Sequence, residues 1–136
     1  MTEQAVPVED VVAVAEFRAA LRQFLRRSER IARQSGLTPQ RHLLLMMIKG
    51  APDGSEQSTV TELSERLQLA QSTVTELVRR AEDAGLIERE QSQRDARVAH
   101  LRLSAEGERR FALSYTASVT ERQQLREAVA NLPESG

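Results

Sequence analysis

Apolar side chains recur at three- and four-residue steps through Val14, Phe17, Leu21, Phe24, Leu25, Ile31 and Ala32, which is the period of one face of an α-helix. The spacing predicts a long first helix over 9–35, closed by Gly36, since a helix ends most cheaply on a left-handed glycine. Residues 1–8 carry Pro7 and no period, and read as an arm without regular structure. Thr38 followed by Pro39 has the chemistry of an N-cap and a first-position proline. The helix it opens, through Lys49, is apolar nearly all round, so it needs neighbours on several sides and belongs at the centre of the fold. Gly50 to Ser58 then reads as a loop ending in a short strand.

Thr59 and Glu62 stand at capping-box spacing, in which each side chain satisfies a free amide at the helix start. A short third helix follows with Val60, Leu63, Ser64 and Leu67 on one face, then a turn over Gln68 to Gln71. Val74, Leu77, Val78 and Ala81 mark the inner face of a fourth helix, which leaves Ser72, Thr73, Thr75, Glu76, Arg79 and Arg80 pointing away from the core. Gly85 closes that helix. Leu86 to Gln91 and Val98 to Leu103 alternate as two strands around a polar turn. Ala99, Leu101 and Leu103 share one strand face, and Val98, His100 and Arg102 the other. A final helix over 104–132 carries Phe111, Tyr115, Val119, Leu125, Val129 and Leu132 before Pro133 ends it. The expected class is mainly α with a small β-hairpin wing: a winged helix-turn-helix lobe over 37–103 between long terminal helices, in a single domain. Because those terminal helices are longer than the lobe requires, their apolar stripes call for a partner, most simply a second copy of the chain.

With 136 residues, 40% hydrophobic and 3% aromatic, the chain has one domain's worth of aliphatic core. The absence of cysteine excludes disulfides, thiolate metal sites and thiol redox chemistry. No apolar run approaches membrane-spanning length and no basic start leads into an apolar segment, so the expected location is cytoplasmic, with no membrane partner. A net charge of -1 argues against gripping polyanions by bulk charge, but the distribution is uneven. Between Glu16 and Arg41 seven arginines face two glutamates.

A helix-turn-helix works when its first helix braces the second and the second helix's opening residues meet base edges in the major groove. Ser72, Thr73 and Thr75 are short polar side chains suited to that contact, and Arg79 and Arg80 lie further along, where phosphates run. Ser72 and Thr73 read equally well as caps of the fourth helix. Glu76 would repel phosphate unless it accepts from a cytosine amino group or pairs with Arg80 at i,i+4, and the pair is the preferred reading. On the turn of the wing Arg94, Asp95 and Arg97 fit a minor groove; taken alone the turn would be an ordinary solvated loop.

The stretch Thr59 to Gly107, TVTELSERLQLAQSTVTELVRRAEDAGLIEREQSQRDARVAHLRLSAEG, resembles the MarR family of bacterial transcriptional regulators. The likeness is carried by S-T-V-T in the helix-turn-helix, G-L-I-x-R after it, D-x-R in the wing and L-S-x-x-G opening the next helix; LTPQRHLLL at Leu37 to Leu45 fits the family's second helix. Ala70, Glu76 and Ala81 depart from common family residues. The resemblance implies a homodimer entwined through its terminal helices, with two recognition helices in successive major grooves of a pseudo-palindromic operator in double-stranded DNA. It further implies that Asp95 orients arginines and that Arg97 contacts DNA.

Many MarR relatives respond to a small aromatic or carboxylate effector held between the dimer helices and the lobe. On this chain Phe17, Phe24, Arg41, His42, Met46 and Tyr115 fall on the corresponding helices, with Arg41 and His42 placed to hold a carboxylate. Core packing explains the same residues, and their scatter favours that reading. No metal is expected from His42 and His100 on separate elements, no cofactor motif is present, and no nucleophile elbow or phosphate loop points to an enzyme. The expected function is a repressor-like DNA-binding regulator. The competing class is a winged-helix module that binds protein instead, a reading favoured by the seven basic and eight acidic residues of Thr59 to Leu103.

Overall fold

Helix ends fix the frame of the molecule, seen in a computed structural model that describes residues 5–134. The expected arm lies outside the described residues over 1–4, and α1 (Val8–Gln34) begins at the arm's last position. It closes as a Schellman turn: the Leu37 amide donates to the Ala32 carbonyl at 2.9 Å and the Gly36 amide to Arg33 at 3.1 Å, with Gly36 at φ +77°, a conformation costly for any residue with a Cβ. The same motif ends α4 (Gln71–Asp83), where Leu86 donates to Ala81 at 3.0 Å and Gly85 to Glu82 at 2.9 Å. Between α1 and α4 come α2 (Pro39–Lys49) and α3 (Val60–Leu67). Thr38 caps α2 by accepting from the Arg41 amide at 3.1 Å.

α2 touches α1, α3, α4, the helix that begins at Ala105 and the second strand, the central place its all-round apolarity predicts. Leu44, Leu45 and Ile48 are fully buried and meet Leu63 of α3, Val74, Val78 and Ala81 of α4, and Leu86 and Leu101 beyond. Each such aliphatic side chain contributes about 1.5–3 kcal/mol through burial.

The strands β1 (Ile87–Gln91) and β2 (Ala99–Leu103) pair antiparallel, with Ile87 opposite Leu103 and Gln91 opposite Ala99. Ile87, Leu101 and Leu103 turn inward. The short strand expected before Thr59 is a single bridge, in which Ser58 and Leu101 exchange hydrogen bonds of 3.0 and 2.8 Å. Arg89 reaches back from β1 to Glu82 of α4 at 2.8 Å, tying the hairpin to the helix before it.

The single closing helix expected over 104–132 is instead two, α5 (Ala105–Ala117) and α6 (Val119–Ala130), broken at Ser118. The Ser118 hydroxyl bonds back to the carbonyls of Ser114 at 3.0 Å and Tyr115 at 3.1 Å. Such back-bonding competes with the helical ladder and bends it. Arg122 then fills the gap, donating to the Tyr115 carbonyl at 2.8 Å and to Ser118 Oγ at 2.7 Å, with its guanidinium 3.9 Å above the Tyr115 ring. α6 folds along α1. Val8, Val11 and Val12 of α1, Leu113 of α5 and Val119 of α6 remain more than half exposed.

Candidate nucleic-acid interface

α3 starts with both halves of the capping box in place: Thr59 Oγ1 accepts from the Glu62 amide at 3.2 Å and Glu62 Oε1 from the Thr59 amide at 2.9 Å. It ends on Gln68 at φ 57°, a left-handed turn worth about 1 kcal/mol of strain without glycine, while the Leu69 amide donates to Ser64 at 3.1 Å. That turn sends the chain into α4 at Ala70, whose side chain can cap nothing. Ser72 and Thr73 lie inside the helix and make no cap bond, which removes the capping role the sequence left open. Ser72, Thr73 and Thr75 are all exposed, beside α4 amides that have no side-chain acceptor and carry the positive end of the helix dipole.

One turn along, Glu76 accepts from Arg79 Nη2 at 2.6 Å and Nε at 3.0 Å, and from Arg80 Nε at 3.1 Å. Bonds from Arg79, then from Arg80, hold its carboxyl at about 2. The expected Glu76–Arg80 pair is therefore present, but Arg79 shares the carboxylate and also reaches Asp83 at 3.0 Å. These exposed pairs add little stability yet fix where two guanidiniums stand.

On the wing, Ser92 Oγ accepts from the amides of Arg94 at 3.2 Å and Asp95 at 3.3 Å, shaping the turn. Gln91 Nε2 crosses it to the Ala96 carbonyl. Asp95 Oδ1 accepts from the Arg97 amide at 3.0 Å and Nε at 3.1 Å, and Oδ2 from Nη2 at 3.2 Å. The Arg97 side-chain bonds, followed by its amide, lower the Asp95 carboxyl below the ordinary range. The Arg97 side chain is nonetheless 90% exposed: fixed in direction, open to a ligand. Arg94 is exposed as well.

The residues proposed for an effector are divided by the structure. Met46 and Tyr115 line one cavity of about 350 Å³ with Lys49, Gly50, Phe111, Ala112 and Thr116. His42 stacks on Phe111, ring centroids 5.9 Å apart, and burial lowers its pKa. Arg41 faces elsewhere, with Thr38, Gln40, Leu77 and Arg80, so it does not join His42 in a carboxylate site. Phe17 and Phe24 stay half-buried on α1, away from the cavity lining. Phe111 and Lys49 were missed, although the i,i+4 step from Phe111 to Tyr115 was visible. Lys49 bridges Glu56 at 2.5 Å and Glu108 at 2.8 Å, contacts from distant segments that no local pattern announces. Among the described residues no group of three or more His, Asp or Glu side chains could hold a metal ion, and no helix is long and apolar enough to cross a membrane.

A braced pair of short helices followed by an antiparallel hairpin defines a winged helix-turn-helix protein. Residues 35–98 match the model of the MarR family. Among solved structures, a MarR family transcription regulator superposes with a TM-score of 0.70 at 23% identity, over 86% of this chain and 75% of that one. A mutant MepR from S. aureus bound to an oligodeoxyribonucleotide gives 0.66 at 20%, over 82% and 79%. A mutant MarR from E. coli complexed with operator DNA gives 0.66 at 18%, over 85% and 79%. At these identities the likeness is one of fold. No curated protein matches the sequence significantly.

Proposed function

We propose that this chain is a sequence-specific, double-stranded-DNA-binding transcriptional regulator, a repressor that acts as a cytoplasmic homodimer and not as an enzyme. The observation that carries the reading is the exposed hydroxyl face of Ser72, Thr73 and Thr75 on α4, in a segment that matches the MarR family model and whose wing holds Arg97 outward on Asp95. In this reading α4 enters a major groove of a pseudo-palindromic operator, Arg79 and Arg80 meet phosphates, and Arg94 and Arg97 enter the minor groove. DNA in the structures of the S. aureus and E. coli relatives supports it. Homodimer formation is supported by the exposed apolar residues of α1, α5 and α6, more than isolated surface residues of a monomer would account for. A small aromatic effector would occupy the Met46–Phe111–Tyr115 cavity, next to the helices that set the spacing of the two lobes.

The test is selection of bound duplexes from a random library, followed by anisotropy titrations over a salt series on the recovered duplex and a scrambled one. Arg97→Ala should weaken binding to both duplexes about fivefold and reduce the salt slope by about 1, whereas Thr75→Ala should alter sequence preference. A second reading, a protein-interaction module, is favoured by the near-neutral charge of Thr59 to Leu103. It predicts no enriched duplex and no salt slope, and that result would displace the DNA reading. Sedimentation of the free protein and of the complex checks for two chains per site.

A further inference from the structure

Glu76 stands where a DNA-reading helix has most to lose from a negative charge. It lies one helical turn beyond Ser72 and Thr73, on the same exposed side, and its side chain is 44% exposed. Arg79 and Arg80 both spend bonds on it, and Asp83 takes the remaining arm of Arg79. Two guanidiniums and two carboxylates therefore cancel over this part of α4. A phosphate approaching the helix meets no net positive charge. It can engage either arginine only by competing with a carboxylate that is ionised at any working pH, and the carboxylate would then be left facing a polyanion.

Taking the DNA-binding reading as its premise, we propose that Glu76 is the specificity-determining residue of α4: it withholds Arg79 and Arg80 from phosphates at random sites and accepts from a cytosine N4 amino group at the matching one. Of the two amino donors in the major groove, cytosine N4 suits a carboxylate better than adenine N6, which stands beside the N7 acceptor that would repel it. At a site that offers it, Glu76 exchanges arginine donors for a base donor and frees the arginines for the adjacent guanine acceptors or phosphates. At any other site the exchange returns nothing. The residue thus lowers non-specific affinity more than operator affinity, and specificity is the ratio of the two.

The experiment compares wild type with Glu76→Gln, which keeps shape and hydrogen-bonding reach but not charge, and with Asp83→Asn, which loosens Arg79 alone. Each protein is put through the random-duplex selection. Each is then titrated against the wild-type-selected and scrambled duplexes between about 50 and 200 mM salt. Glu76→Gln should bind the scrambled duplex about tenfold more tightly, steepen its salt slope by about 1 and lose a G·C position from each half-site of the recovered motif. Asp83→Asn should raise non-specific affinity less and leave the motif intact. A purely helix-stabilising Glu76 would weaken binding to both duplexes in proportion on substitution, and that outcome overturns the inference, as does an unchanged motif with an unchanged scrambled affinity. A wild type that enriches no motif refutes the premise as well, which separates that failure from the failure of Glu76 alone.

Discussion

Replacing Gly107 with alanine should destabilise the protein, although alanine is the better helix former. Gly107 is buried in the first turn of α5, where the chain crosses the corner between α4 and β1. The Ser104 amide donates to the Leu86 carbonyl at 2.9 Å, the Ser104 hydroxyl to the Gly85 carbonyl at 2.6 Å, and the Gly107 amide back to Ser104 Oγ at 3.0 Å. A Cβ on Gly107 would stand 2.0 Å from the Leu86 carbonyl oxygen and 3.0 Å from its carbon. Ordinary contact lies more than an ångström further out, and the obstacle is backbone, which no rotamer change can move. α5 would have to lift, stretching the Ser104 to Leu86 bond. Overpacking of this kind costs about 3 kcal/mol, a strained backbone hydrogen bond about 1 kcal/mol, and better helix propensity returns up to about 1 kcal/mol. The net is about 3 kcal/mol, or roughly 10 °C in Tm for a chain of this size. Thermal melts of Gly107→Ala and wild type at equal protein concentration measure it, the equality mattering because association shifts Tm. A variant that melts with the wild type or above it would refute the close approach.

Thr59→Ala removes the hydroxyl half of the α3 capping box and should cost about 1 kcal/mol in urea unfolding, with the slope against urea unchanged. His42 gives a pH dependence of definite sign. Burial lowers its pKa from 6.5, so the unfolded chain binds the proton more readily. The stability contributed by neutral His42 is complete above pH 6.5 and declines as pH falls below it. Glu76 and Glu106, held at about 2, contribute stability that is complete above 4.5 and lost as pH falls toward 2, outside that window. Urea midpoints at successive pH values from 6.5 down to about 5 should therefore decline for wild type and stay flatter for His42→Phe; equal declines would remove His42 as the cause.

The elements legible in the sequence are those whose determinants lie within a few residues of one another. Thr59 and Glu62, Thr38 and Pro39, and the glycines at 36 and 85 act on backbone groups at most one turn away. Their caps and turns therefore follow from spacing, and the apolar periods of α2 and α4 carry the core with them. The Glu76–Arg80 pair was readable for the same reason. Even there, Arg79 at i,i+3 takes the same carboxylate, because two rotamer sets that are both allowed locally are not ranked by sequence. The break at Ser118 is hidden because Tyr115 and Val119 keep a helical four-residue step across it, and hydroxyl back-bonding and the seat of Arg122 over Tyr115 leave no trace in hydrophobicity. Tertiary structure alone decided that Met46 and Tyr115 share a cavity with Phe111 while Arg41 lines a separate depression with Leu77 and Arg80. It likewise decided that Lys49 joins Glu56 to Glu108 and that Arg89 holds the wing to α4. Helical phase shows which face a residue occupies; the angle at which helices cross, fixed by packing of the whole core, determines what that face meets.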